Sequence, residues 1–182
     1  MIRTLSAIAL GFAITLGVCA SPRADFRPLI PSNRPTVAYV VDGDTIAVQL
    51  GRGVDKVRLI GIDTPESRSN DRAKLQAERS KRDIKTILQL GKQAKETLKS
   101  LLPKGTELRL EYDAQQRDKY GRLLAYAYRM DNTMINEEML LRGYAQLLTI
   151  PPNIRYVERL RKALNKAQKE QRGLWASGGF QN

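Results

Sequence analysis

Histidine is absent from this chain of 182 residues. That removes the commonest general base and a common metal ligand. It argues against histidine-dependent nucleases and most catalytic zinc sites. Acid–base chemistry is left to carboxylates, Tyr, Lys, Arg or metal-bound water. Cysteine occurs once, at Cys19, so no disulfide forms within the chain. Acidic residues are the minority, 19 against 31 Lys and Arg, for a formal net charge of +12. Such an excess points to a polyanionic partner, a nucleic acid or an anionic membrane surface. No internal repeat and no low-complexity tract is present.

Long apolar runs are also scarce. Residues 5–18 form the one extended run, too short for a comfortable membrane span. A short positive segment, Met1-Ile2-Arg3, precedes it and Val18-Cys19-Ala20 follows. This is the pattern of a secretory signal peptide over residues 1–20, cleaved near Ala20. The mature protein would then hold no stable membrane span and no cysteine, and would be secreted or periplasmic. The alternative is a lipoprotein anchored through Cys19. Residues 21–35, with three prolines and then a fourth at Pro35, read as a flexible leader.

Chemistry concentrates in 41–66. Asp42-Gly43 lies between two β-rich runs, 36–41 and 45–49, a hairpin signal that expects φ > 0 at the turn. Asp44 then lies at the hairpin mouth. A third run, 56–62, ends in Asp63-Thr64-Pro65-Glu66, where Pro65 stops the strand and holds Thr64 extended. These ends bring Asp44, Asp63 and Glu66 toward one place. Strict alternation puts Arg58 and Asp63 on opposite faces; Gly61 offers the bend that turns both inward. Hard carboxylate oxygens suit Ca²⁺ or Mg²⁺. Asp118-Lys119-Tyr120-Gly121-Arg122 adds a second arginine at a strand mouth. Two guanidinium forks beside a metal suit a phosphodiester.

Residues 67–104 read as helical, capped by Ser69 or Asn70, with Gly91 dividing two helices. The first of these, with Arg79, Lys81 and Arg82, is a basic insertion over 67–91 and a candidate nucleic-acid contact. Strands follow at 107–112 and 123–128. Asn136 is expected to cap a short helix, and Ile154, Val157, Leu160, Leu164 and Ala167 give the apolar face of a last one. The class is α+β, mainly β: a five-stranded Greek-key β-barrel of OB type with about three packed helices. The domain is expected over 36–176, with 177–182 as a tail.

The ordered set Val41-Asp42-Gly43-Asp44-Thr45, Arg58 to Glu66, Asp118 to Arg122 and Leu124-Ala125-Tyr126 resembles the thermonuclease (staphylococcal nuclease-like) family. The likeness runs from about Thr36 to Trp175 and takes in Asn136-Glu137 and Gly173-Leu174-Trp175. It implies a monomeric Ca²⁺-dependent nuclease acting on DNA and RNA and leaving 3′-phosphate ends. By that resemblance Asp44 and Asp63 bind Ca²⁺ through carboxylates, and Thr64 through its backbone carbonyl. Arg58 and Arg122 grip the scissile phosphate, and Glu66 activates water. Lys119 and Tyr120 would contact nucleic acid. The chain departs from the family where nucleotide-lining tyrosines are expected, reading Gln146-Leu147-Leu148-Thr149-Ile150-Pro151. It departs again in the longer, basic 67–91 segment.

Overall fold

The computed structural model describes residues 34–180; the expected signal peptide and nearly all of the expected leader lie outside them. Strands β1 (Thr36–Asp42) and β2 (Thr45–Leu50) are rich in β-branched residues and pair antiparallel, ending on Asp42 opposite Thr45. The turn is therefore Gly43-Asp44, one residue later than Asp42-Gly43. Its glycine answers to space rather than to φ: a Cβ there would stand 2.7 Å from Thr64 Oγ1 and 2.9 Å from Ala94 Cβ.

Strand β3 (Gly53–Leu59) pairs antiparallel with β2. The chain then breaks at Gly61, whose φ of +80° a glycine adopts without strain. The expected third strand is thus two: β3 and the short β4 (Ile62–Asp63). Further on come β5 (Leu108–Glu111), β6 (Leu123–Arg129) and β7 (Gln146–Leu147). The main sheet has five strands in the order β1-β2-β3-β6-β5, with β3 and β6 parallel. Strands β4 and β7 make a separate antiparallel pair. The outer strands approach at one end, where Thr36 bridges Glu107 and Val37 N donates to Thr106 O at 2.9 Å.

Four α-helices occur among the described residues, where about three are expected. They are α1 (Asp71–Ser80), α2 (Ile84–Leu101), α3 (Ile135–Leu141) and α4 (Val157–Lys169). Asn70 caps α1, accepting from Ala73 N. The division between α1 and α2 is not at Gly91. It falls at Lys81, in the left-handed region at φ 52°, and Asp83, which caps α2 by accepting from Thr86 N. Gly91 lies inside α2, where a Cβ would stand 2.2 Å from the Glu66 carbonyl oxygen. Nor does Asn136 cap α3: Met134 holds that position. The fully buried Asn136 side chain accepts from Ala127 N at 2.9 Å and donates to Ile60 O at 2.8 Å, pinning the chain just before the Gly61 bend to β6.

The core gathers Ile46, Val57, Leu59 and Ile62 from the strands, Leu98 from α2, Met139 and Leu140 from α3 and Leu160 from α4. Ile154 precedes α4 and is exposed, so it does not join that helix's apolar face. A smaller cluster joins Leu90, Ala167, Leu174, Trp175 and Phe180. Phe180 packs tilted against Trp175, the ring centres 5.0 Å apart. The folded domain therefore extends past 176, into the segment expected to be a tail. No helix among the described residues is long and apolar enough to cross a membrane.

Candidate active site

Burial places one arginine at the centre of the site. Arg58 leaves the end of β3 and is 7% exposed. Its Nη1 donates to Ile62 O at 2.8 Å and Leu59 O at 3.2 Å, so the backbone around the Gly61 bend itself holds the guanidinium. Nη2 donates to Asp63 Oδ1 at 3.0 Å, and Nη1 lies 3.2 Å from Asp44 Oδ2. The bend at Gly61 thus brings Arg58 and Asp63 to one side, where strict strand alternation alone would have put them on opposite faces.

Asp44 is 5% exposed in the β1–β2 turn. Its Oδ1 accepts from Thr45 Oγ1 at 2.8 Å. Its Oδ2 accepts from Thr64 N at 3.2 Å and Thr64 Oγ1 at 3.3 Å. Thr64 is itself buried, and its carbonyl accepts from Gln76 Nε2 at 3.1 Å. Gln76 Oε1 accepts from Glu66 N at 2.9 Å, so one α1 side chain braces both ends of the Thr64-Pro65-Glu66 turn. Asn70 Nδ2 donates to Glu66 Oε2 at 2.9 Å.

A guanidinium from α1 completes the cluster. Arg72 Nη2 donates to Asp63 Oδ1, and Arg72 Nε stands 3.2 Å from Glu66 Oε1. Burial raises the Asp63 carboxyl above its ordinary value against the pull of Arg72, with Asp44 adding to the rise and Arg58 opposing it. Burial also raises Glu66, against the Asn70 hydrogen bond and the Arg72 charge. Asn70 shows in the sequence only as a helix cap, and neither Arg72 nor Gln76 stands out there. The spacing of 72 and 76, one helical turn apart, is the signal that puts two of them on one face.

Arg122 enters from the start of β6's approach. Its Nε donates to Asp118 Oδ2 at 2.6 Å. Burial works to raise Asp118, but the hydrogen bonds from Arg122 and from Tyr120 N outweigh it and hold the carboxyl low. Tyr120 is 72% exposed, with Lys119 Nζ 5.1 Å and Arg122 Cζ 5.6 Å from its ring centre. A cavity of about 450 Å³ is bordered by Arg58, Arg72, Lys119, Tyr120 and Arg122, with apolar walls from Leu124, Leu148 and Ile150. A neighbouring one of about 250 Å³ is bordered by Asp44, Glu66, Arg72 and Arg122. Both open on the same two arginines, 72 and 122.

The basic trio Arg79, Lys81 and Arg82 divides. Arg79 and Arg82 border a third cavity, of about 330 Å³, with Asp63, Thr64 and Pro65 on its other wall. Arg82 also donates to Gly178 O. Lys81, at the left-handed cap of α1, does not border that cavity.

Among the described residues no cluster of three or more Asp, Glu, His or Cys side chains forms a metal cage. The donors that do converge, Asp44 and Asp63 on the two sides of Arg58, are carboxylate oxygens, with the Thr64 backbone between them in the network. Such a donor set fits a hard divalent cation that completes its shell with water and substrate.

A family model described as staphylococcal nuclease homologue matches residues 56–177. The chain belongs to the staphylococcal nuclease family. The chain is 34% identical over 141 residues to the thermonuclease of Staphylococcus hyicus, covering 78% of this chain and 75% of that protein. It is 35% identical over 139 residues to the thermonuclease of Staphylococcus intermedius, covering 76% and 74%. It is 35% identical over 147 residues to the SPbeta prophage-derived endonuclease YokF of Bacillus subtilis, covering 80% of this chain and 45% of that protein. Arg58, Asp63, Glu66 and Arg122 fall inside the segment that matches the staphylococcal nuclease family, while Asp44 lies just before it.

Proposed function

We propose that this protein is an exported, monomeric Ca²⁺-dependent nuclease that hydrolyses DNA and RNA with little sequence specificity and leaves 3′-phosphate ends. One observation carries the reading: Asp44 and Asp63 flank Arg58 at one strand end, and Arg122 borders both the cavity lined by Arg58 and the one lined by Asp44 and Glu66. The five-stranded sheet is read as the OB barrel of the family, with the site at its strand ends.

Asp44 and Asp63 would hold the Ca²⁺, with the Thr64 carbonyl as a further oxygen ligand. Bound there, the ion supplies positive charge to a phosphate oxygen. Arg58 and Arg122 stabilise the charge that gathers on the phosphoryl oxygens as the attacking water adds. Arg58 is already fixed by two carbonyls, so it needs no reorganisation to do so. Glu66 accepts the proton of the attacking water; a chain without histidine leaves that work to a carboxylate. The bond to the 5′ oxygen breaks, which accounts for a 3′-phosphate on the other product. Tyr120 and Lys119 lie where a nucleotide would enter the larger cavity. Export through residues 1–20 would place the enzyme where Ca²⁺ is plentiful.

Cleavage of single-stranded DNA and of RNA, with Ca²⁺ and then with excess chelator, tests this. Glu66→Gln should lower single-turnover cleavage by roughly 10²-fold or more while oligonucleotide affinity stays nearly level. Undiminished cleavage in chelator rules out the metal role. A parent protein that binds DNA and never cuts it is a binding module instead.

A further inference from the structure

Arg72 is the guanidinium of helix α1 that pairs with the carboxylates of the site. It bridges Asp63 and Glu66, borders both cavities of the site with Arg122, and its side chain is 41% exposed. No backbone carbonyl holds it among the described residues, in contrast to Arg58. Its position on the chain is firm all the same. Helix α1 is pinned to the site by Gln76, bonded to Thr64 O and Glu66 N, and by the capping residue Asn70, bonded to Glu66. The side chain is therefore tethered at a fixed root and held at its tip by two carboxylates alone.

We infer that Arg72 is a built-in counter-cation that competes with a divalent cation for Asp63 and, when freed from it, serves the substrate phosphate as a third guanidinium. This rests on the proposed Ca²⁺-dependent reading of the site. A carboxylate oxygen already paired with a guanidinium binds a second cation less well, because the two like charges repel at close range. Arg58 also touches Asp63, but its carbonyl partners keep it in place. Arg72 has no such partners, so it is the charge that yields. A freed Arg72 remains at the border shared with Arg122, and a phosphate between them meets a fork from each side. The insertion thus sets how tightly the site takes metal before substrate arrives.

Equilibrium Ca²⁺ binding to the full chain without nucleic acid, by titration calorimetry, tests this on the parent, Arg72→Gln and Arg72→Lys. Arg72→Gln should bind Ca²⁺ roughly tenfold tighter or more, and Arg72→Lys, which keeps the charge, should stay near the parent. In saturating Ca²⁺, Arg72→Gln should bind a single-stranded oligonucleotide more weakly, read in a Glu66→Gln background that does not cut. Misfolding loosens a metal site, so tighter Ca²⁺ binding has no trivial cause. Equal or weaker Ca²⁺ binding in Arg72→Gln, with a parent-like circular dichroism spectrum, overturns the inference. Should Arg72→Gln not fold, Arg72→Met takes its place under the same criterion. A parent that takes up no Ca²⁺ at millimolar concentration instead overturns the metal reading on which the inference stands.

Discussion

Arg58 and Arg72 pair with the same carboxylate oxygen, Asp63 Oδ1. Arg58 comes from a strand, is 7% exposed and has backbone carbonyls as partners. Arg72 comes from a helix and, among the described residues, has carboxylate partners only. The strand-borne half of the site is built into the fold and cannot change without disturbing it. The helix-borne half is docked onto it through side chains. Identical residue types therefore carry different risks on mutation, and the contrast can be pressed from both sides.

The largest effect is expected at Arg58. Arg58→Ala leaves Asp44, buried in its turn, without its charge partner and the Leu59 and Ile62 carbonyls without their donor. Breaking a buried pair in this way costs about 3–5 kcal/mol. Urea unfolding should show that loss alongside abolished cleavage. A variant as stable as the parent would mean that Arg58 is a tool of the site and no part of the scaffold.

Next comes the seam between the two halves. Helix α2 lies so close to the Glu66–Ser67 backbone that only glycine fits at 91. Gly91→Ala should cost about 1–3 kcal/mol by overpacking and should lower turnover as well, because the backbone that must give way carries Glu66. Lost stability with unchanged turnover would show that Glu66 is positioned by α1 alone.

That seam also separates the residues legible in the sequence from those that are not. Asp44, Arg58, Asp63 and Glu66 lie within two turns and three strands, and turn chemistry with strand alternation brings them together. The Gly61 bend was readable for the same reason. Arg72 and Gln76 were not, because a charged helix turn looks alike whether it faces solvent or a carboxylate cluster; only docking decides. Glycine disfavours helix interiors, so Gly91 suggests a helix break in the sequence, yet tertiary contact overrides that preference here. Lys81, a non-glycine residue at positive φ, ends α1 with no signal in composition. Asn136 stands where a helix cap is expected, while its actual partners lie 9 and 76 residues away.

A smaller loss is expected where α1 braces the turn. Gln76→Ala removes the donor to Thr64 O and the acceptor for Glu66 N while leaving every charge of the site in place. A loss of about 1 kcal/mol fits the hydrogen bonds given up. Ca²⁺ affinity should fall with it if the Thr64 carbonyl is a ligand, since its orientation is then free. Unchanged affinity would remove Thr64 from the metal shell.

The smallest effect on the fold, and the sharpest on the partner, belongs to the far end of α1. Replacing Arg79, Lys81 and Arg82 with Gln should alter stability by no more than about 0.5 kcal/mol, as expected of surface positions. Its signature lies in salt dependence. Each phosphate contact on a single strand contributes roughly 0.7 to the log–log slope of affinity against salt. Arg79 and Arg82 border the cavity that reaches Thr64 and Pro65, and Lys81 does not. Two engaged cations then predict a slope flattened by about 1.4, with Lys81→Gln alone changing nothing. Single-turnover cleavage of saturating substrate should stay level, because these residues act on the strand beyond the reacting phosphate. A slope equal to the parent's would leave this end of the helix to solvent, and the substrate path would then run only over Lys119, Tyr120 and Arg122.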